Sequence, residues 1–293
     1  MKRPRTRHAH GRRIDRVLRH IHAHLDRELD LRRLADIACL SPFHFHRIYH
    51  EVTGETASAT LARLRLHRAA VALSRTDQPL AAIARAAGYG SVPAFSRAFH
   101  HAHGRPPNRF RTETRNREGH IMTDIAIQDR PALRLLVTGH DGPAHRIGEA
   151  FDKLVAWAAP RGLLGPGRLG VSLHLTGMDV PEGEQRSLAG FTIGDLPPLD
   201  DPAIWAYDLP GGRHAVILHK GPYARIGESW RTLRQWFAAS GESRAARPAF
   251  EVNLNNPRLT PPDALLTEIC LPLDDQAAPI GKRSNRSRTG TSA

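Results

Sequence analysis

Two stretches of this chain set the same side chains at the same spacing. Ser41–Gly54 reads SPFHFHRIYHEVTG and Ser91–Gly104 reads SVPAFSRAFHHAHG. A shift of fifty positions aligns Ser41 with Ser91, Phe45 with Phe95, Arg47 with Arg97, His50 with His100 and Gly54 with Gly104. Tyr49 falls on Phe99, so aromatic character is kept as well. What recurs is hydrogen-bonding and ring chemistry, not the chemistry of bond cleavage. The chain contains no P-loop, no dinucleotide fingerprint and no nucleophile elbow. The histidines raise the question of a metal. HIHAH puts His20 and His24 four apart, and HHAH adds His100, His101 and His103. No cysteine or carboxylate joins either group at ligand spacing, so no metal, no cofactor and no catalytic residue is expected.

Local signals predict the elements that present the repeated stretches. Ile14, Val17, Leu18, Ile21 and Leu25 fall on one face of a helix. A short amphipathic helix follows around Leu34, Ile37 and Ala38, and Ser41-Pro42 starts the next, which stops near Gly54. A long Ala/Leu/Arg helix runs roughly from Thr56 to Ser74. After a break at TDQP, a helix spans Leu80 to Ala87 and Gly88-Tyr89-Gly90 makes a turn. Ser91 then caps a helix that ends at His103-Gly104. No strand pattern precedes about Met122, so this half is all-α. A short helix, a tight turn and a second short helix make a helix-turn-helix, whose second helix can enter the DNA major groove. Here the unit occurs twice on one connecting helix. Nineteen or so residues of helix span roughly 28 Å, close to the ~34 Å between successive major-groove openings on one face of DNA. One chain can thus read two adjacent grooves.

Charge supports that partner for one half alone. The net charge is +13, and residues up to Glu118 hold 23 Lys+Arg against 10 Asp+Glu. From Gly119 onward the count is 19 against 19. A basic module beside a neutral one implies a polyanion for the first. At 293 residues with 40% hydrophobic content, the chain suits two globular domains. No apolar run reaches the roughly 18 residues of a membrane helix. The basic start lacks the apolar run of a secretory signal, and Cys39 and Cys270 read as separate buried thiols, which places the protein in a reducing cytoplasm, at the nucleoid.

LADIACLSPFHFHRIYHEVTG and IARAAGYGSVPAFSRAFHHAHGRPPNRFR resemble the two motifs of the AraC/XylS transcription regulators. The second follows the family pattern of Ile-Ala, Gly-aromatic, Ser, Phe-Ser-Arg, Phe, Gly-x-x-Pro and a final aromatic-Arg. The resemblance implies base contacts from Phe43, His46 and Arg47 in the first motif. In the second it implies Val92, Pro93, Ser96 and Arg97. Arg47 and Arg97 can fork onto a guanine edge and His46 can donate or accept, whereas Phe43 and Val92 can only pack on thymine methyls or sugars. Arg63, Arg65, Arg105, Arg109 and Arg111 read as phosphate positioners. The second helix offers Val92-Pro93-Ala94 where polar side chains are usual, so the first motif is expected to discriminate more.

After the first half the period changes to strand alternation in LRLLVTG, LGVSLHL, HAVILHK, FEVNLN and LTEICLPL. A second duplication lies here. HDGPAHRIGEAFDKLVAW (140–157) matches HKGPYARIGESWRTLRQW (219–236) at a constant offset of 79. Two strand-helix-strand units related by a pseudo-twofold axis are expected, with a ligand cleft between them. This half resembles the GyrI-like small-molecule-binding domain, most closely at RPAFEVNLNNPRLTPPDALLTEICLPL (247–273). The resemblance implies a ligand-facing glutamate at Glu251. Alternation places Phe250, Val252 and Leu254 on one face of its strand and Glu251, Asn253 and Asn255 on the other. A carboxylate in an aromatic cleft suits a cationic or polar-amphipathic effector. Trp205, Tyr223, Trp230 and Phe250 are the candidate aromatic walls. Two departures mark this chain: Asn253 stands where the family has a tyrosine, and LHLTGMDVPEG (173–183) replaces the usual Asp-Asn-Pro type of turn.

The expected organisation is a disordered basic arm (1–13), an all-α DNA-binding domain (14–112), a linker (113–121), an α+β effector-binding domain (122–274) and a disordered tail (275–293). The expected function is a DNA-binding transcription regulator whose effector alters its affinity for double-stranded DNA or its contact with RNA polymerase. The alternatives are a regulator whose second domain contacts proteins instead, or a hydrolase domain tethered to DNA with Glu251 as a lone base.

Overall fold

Capping chemistry sets where the helices of the first half begin and end. The computed structural model describes residues 4–116, 124–177 and 180–275. Its helices are α1 (Pro4–Ala23), α2 (Leu31–Ile37), α3 (Pro42–Thr53), α4 (Ala57–Arg75), α5 (Leu80–Ala86), α6 (Val92–His103) and α7 (Pro107–Asn116). Asp30 caps α2 by accepting from the Arg32 amide, Thr56 caps α4 at Ala59 and Ser91 caps α6 at Ala94. Ser41 occupies the N-cap of α3 without a side-chain bond, and Pro42 alone marks that start. α3 and α6 both end on a left-handed glycine, Gly54 at φ 76° and Gly104 at φ 68°. The two turns are built alike. The Leu40 amide reaches back to Ala35 and the Tyr89 amide to Ala84. The left-handed position is Gly88 in the second turn and Cys39, at φ 51°, in the first.

Each helix-turn-helix has its own core, and α4 serves both. Its N-terminal half packs Ala57 and Leu64 with Ile14, Leu18, Phe45 and Tyr49. Its C-terminal half packs Leu66, Ala70 and Leu73 with Phe95, Phe99 and Phe110. The last of these comes from α7, which runs on into the span read as linker: residues 113–116 complete that helix, and 117–121 lie outside the described residues. From Pro4 onward the expected basic arm is also helical, since α1 begins there. The tail from 276 onward lies outside the described residues.

The second half is one antiparallel sheet with two helices. Its strands are β1 (Ala126–Arg130), β2 (Leu133–Asp141), β3 (Gly170–His174), β4 (Arg186–Thr192), β5 (Trp205–Leu209), β6 (Gly212–Lys220), β7 (Ala249–Asn253) and β8 (Leu266–Pro272), and its helices α8 (Gly148–Ala158) and α9 (Ile226–Ser240). The strand order is β1-β6-β8-β7-β3-β4-β2-β5. Adding 79 to the bounds of β2 (133–141) gives those of β6 (212–220), and adding 79 to β3 (170–174) gives β7 (249–253). The duplication therefore folds as two units that meet along β3 and β7. One face of the sheet buries Leu135, Val137, Val171, Leu173, Phe250 and Val252 in a core made of strand and loop residues, around which the sheet curls. The other face carries α8 and α9, on Leu136, Leu154 and Trp157 in one unit and Ile217, Trp230 and Leu233 in the other.

Candidate functional site

The helical period sorts α3 and α6 into a buried and an open face. Phe45, Ile48 and Tyr49 are buried, while Phe43 is 84% exposed and His46 and Arg47 are exposed beside it. On α6, Phe95 and Phe99 are buried and Pro93 and Arg97 are exposed. Ser96 is half-buried, and half-buried Val92 packs against the core beneath. Among the described residues neither Arg47 nor Arg97 has a hydrogen bond or ion pair, so both guanidiniums are available. The first face thus offers an arginine, a histidine and an aromatic ring, and the second an arginine with small groups.

The other arginines divide. Arg109 is exposed and bonded to Glu113 at 2.6 Å, on the same helix. Arg63 does not stand on the reading side. It makes a two-pronged pair with Glu55, at 2.7 and 3.3 Å, and faces the second half of the chain. Arg105 pairs with Glu113 and Asp263, and Arg65 and Arg111 are bonded to backbone carbonyls. Glu55 lies eight residues before Arg63 in sequence, and only the turn between α3 and α4 brings them together.

Behind the reading helices lies a cleft of about 1940 Å³. Its floor is the seam of the sheet, with Gly170, Ser172 and His174 from β3 beside Glu251 and Asn253 from β7. Its walls are α8, with Phe151 and Asp152, and α9, with Trp230. Its roof is α4 of the first half, through Arg63, His67 and Arg75. A site that joins both halves is larger than the usual single-domain pocket. The repeated Gly-Pro-x-x-Arg-Ile-Gly-Glu segment builds the rims. His140 donates to the Pro143 carbonyl at 3.1 Å and His219 to the Pro222 carbonyl at 3.4 Å. Arg146 pairs with Glu149 and Arg225 with Glu228 across one turn.

Glu251 is the buried charge of the floor. Its Oε1 accepts from the Trp230 indole at 2.6 Å and from His174 Nε2 at 3.2 Å. Burial opposes its ionisation, but the His174 and Trp230 bonds and nearby His219 hold its carboxyl below the usual carboxylate range. The His174 ring stands edge-on to Trp230 with centroids 5.2 Å apart. Tyr223 also lines this end, with its hydroxyl buried beside Thr267. Burial raises the pKa of that phenol above its ordinary value.

Of the expected cleft residues, the structure brings together Glu251, Tyr223 and Trp230. Phe250 and Trp205 do not belong. Phe250 is one residue from Glu251 on an extended strand, so it points through the sheet into the opposite core, against His214. Trp205 starts the edge strand β5 and covers Gly139 away from the seam. His174 was not among the sequence candidates. The 79-residue shift could have found it, because it carries Ser172 onto Glu251, and His174 then sits two positions along the same face.

Two helix-turn-helix units followed by a duplicated strand-helix-strand domain with a central cleft define a two-part, helix-turn-helix ligand-domain architecture. A family model described as a GyrI-like small molecule binding domain matches residues 123–274, and a helix-turn-helix domain of AraC type matches 34–113. The chain belongs to the GyrI-like small-molecule-binding family, with an AraC-type helix-turn-helix region ahead of that domain. The MmsAB operon regulatory protein of Pseudomonas aeruginosa is 34% identical over 106 residues, 36% of this chain and 34% of that protein. The right origin-binding protein of Escherichia coli (strain K12) is 34% identical over 91 residues, 31% of this chain and 32% of that protein. The chain spans 34% to 50% of the length of the first curated relatives it matches. Among solved structures, the C-terminal domain of EcmrR superimposes with a TM-score of 0.45 at 15% identity, over 53% of this chain and 99% of that one. Among the described residues no helix is long and apolar enough to cross a membrane.

Proposed function

We propose that this protein is a transcription regulator that binds double-stranded DNA through α3 and α6 and holds a small effector in the cleft beneath α4. The effector is cationic or polar-amphipathic. The single observation that carries this reading is the placement of Glu251. A buried, ionised carboxylate beside Trp230 and Tyr223 attracts a positive, partly apolar molecule. The roof over that carboxylate is the helix that joins the two reading helices. An effector touching both halves has the differential contacts that regulation requires, since a ligand shifts an equilibrium only by its preference for one state. The output is a change in DNA affinity or in contact with RNA polymerase, in the cytoplasm.

Selection of genomic fragments by the purified full chain at near-physiological salt tests the first part. One enriched asymmetric motif, with two blocks about one helical turn apart, is expected. The bound fragment is then titrated with a panel of organic cations and neutral compounds of matched size. Cations that alter the affinity for the fragment support the reading. A motif that responds to none of them removes the effector and leaves a constitutive DNA-binding protein.

A further inference from the structure

The connection between β7 and β8 leaves the cleft floor and crosses to the DNA-reading half. It begins directly after Asn253, two residues beyond Glu251, and returns at Leu266. It is a braced segment. Asn255 accepts from the Leu266 amide and donates to the Ala264 carbonyl, and the Asn256 side chain accepts from the Arg258 amide. A short 3-10 turn, Pro262–Ala264, stiffens its second part.

Two side chains of this segment reach the ends of the two reading helices. Arg258 donates through Nη1 to the carbonyl of Thr53 at 2.6 Å, and Thr53 is the last residue of α3. That carbonyl is one of the four a helix leaves unpaired at its C-terminus, and a cation there also meets the negative end of the helix dipole. The other prong of Arg258 binds Asp152 on α8, whose second oxygen accepts from His22 of α1 at 2.8 Å. Arg258, Asp152 and His22 have side chains no more than 10% exposed, so this is an interior joint. Asp263 reaches the end of α6 differently, through the cation that follows it and not through a helix carbonyl. Its carboxylate lies against Gly104, the left-handed residue that ends α6, where an added Cβ would come within 2.5 Å of Oδ2. It also faces Arg105 at 3.5 Å. One segment, anchored on the strand that carries Glu251, therefore bonds the C-terminus of the helix that bears Arg47 and pairs with Arg105 just beyond the helix that bears Arg97.

We propose that the β7–β8 connection is the coupling strap between the cleft and DNA, with Arg258 holding the end of α3 and Asp263 the end of α6. It positions the reading helices without touching a base, and its residues from Leu254 to Pro262 line the cleft. The inference rests on the reading that α3 and α6 contact DNA, and it adds the route by which the second half senses that contact. Coupling between two sites is reciprocal, so a strap that favours the DNA-bound arrangement of α3 and α6 makes DNA stabilise the second half in turn.

The distribution of tryptophan makes this measurable without an effector. All four tryptophans, Trp157, Trp205, Trp230 and Trp236, lie in the second half. Their emission on heating reports mainly that half, while far-ultraviolet circular dichroism is dominated by the helices of the first. The full chain, Arg258→Gln, Asp263→Asn and the double variant are melted with and without a random-sequence DNA duplex at low salt. Arg134→Ala, which removes an exposed arginine of β2, serves as the charge control. In the wild type and the control, DNA is expected to raise the tryptophan-reported midpoint by a few degrees, about 2–4 °C for each roughly fivefold in coupling. In the double variant that rise is expected to fall to less than half although DNA is still bound. Asp263→Asn alters a half-exposed residue and gives a reduced rise even if Arg258→Gln fails to fold. An equal rise in wild type and variants overturns the strap. Absence of DNA binding by the wild type overturns the regulator reading instead, and then only separation of the two melting curves in the variants speaks for the strap.

Discussion

Ser172 on β3 and Glu251 on β7 face each other across the seam of the sheet, and each is the other's counterpart in the duplication. They are register partners, and 172 plus 79 is 251. The pseudo-twofold axis thus passes between them. Two like residues at this point would be nearest neighbours, and two carboxylates there could not both stay ionised in a buried site. The duplicated fold resolves this by carrying the acid in one copy and a small hydroxyl in the other. The difference also gives the cleft one charged end, with Trp230 and His174 both directed at Glu251.

Glu251→Gln keeps the size and the acceptor oxygen of that residue and removes its charge. The variant is expected to fold, with Trp230 still donating. Its affinity for a cationic aromatic dye is expected to fall by roughly tenfold to a hundredfold, the usual worth of a hydrogen-bonded buried charge. A neutral dye of the same shape should bind both forms alike. Quenching of tryptophan emission gives both constants. Equal binding of the cation to both forms removes Glu251 from the recognition of ligands.

Arg47 and Arg109 separate base reading from phosphate contact. Arg47 is unpaired among the described residues and stands on the open face of α3, whereas Arg109 is held by Glu113 on α7. Arg47→Ala should flatten preference at one position of one block and cost about 1–3 kcal/mol on the preferred site. Arg109→Ala should weaken all sequences evenly and reduce the salt slope by about one. Fragment selection with each variant at two salt concentrations checks both. A change of preference in the Arg109 variant would reverse the assignments.

How much of this was legible beforehand depends on how local the cause is. Thr56, Ser91, Gly54 and Gly104 act within one turn, and the helices they bound lie where the residues place them. The two duplications carried the topology, because a matched offset ties distant strands together. Residues 4–13 gave no apolar period, and the helix there rests on packing against α8 that no local pattern contains. Arg63 reads as a surface cation until Glu55 meets it. Phe250 was separable by alternation alone, since it cannot share a face with Glu251. Trp205 needed the strand order, which puts β5 at the edge.

His103 gives the first half an acid-sensitive core. Its ring stacks on Phe99 with centroids 4.3 Å apart and is 3% exposed. Burial first, then neighbouring His67 and Arg105, push its pKa down to about 4 from an ordinary 6.5. The unfolded chain therefore binds a proton at this residue between those values when the folded chain does not. Stability rises with pH wherever the unfolded state holds more protons. The contribution is complete above about pH 6.5 and is lost progressively as pH falls towards 4. Melting curves followed at 222 nm from pH 7 to pH 4.5 should show this decline, and His103→Phe should make it shallower. A variant with the same slope as wild type would place the sensitivity elsewhere, His145 being lowered in the same way by burial and Arg75.

Gly11 is where the two halves meet backbone to backbone. A Cβ built there would lie 2.3 Å from the Ala156 carbonyl oxygen on α8 and 3.0 Å from Pro160. Ala156 itself belongs to the core of the first helix-turn-helix, so α1 cannot move away without opening that core. Glycine at a helix interior ordinarily costs stability relative to alanine. Here the sign is expected to reverse: Gly11→Ala should destabilise the chain by about 1–3 kcal/mol, as overpacking does. Gly148→Ala provides the contrast, because nothing lies within 4 Å of its Cβ position and it sits in the first turn of α8. That change should be neutral or stabilising by about 0.4–1 kcal/mol. Thermal unfolding of the pair decides it. If Gly11→Ala melts with or above the wild type, α1 is not seated on α8 as described, and the roof over the cleft must be held by α4 and the strap alone.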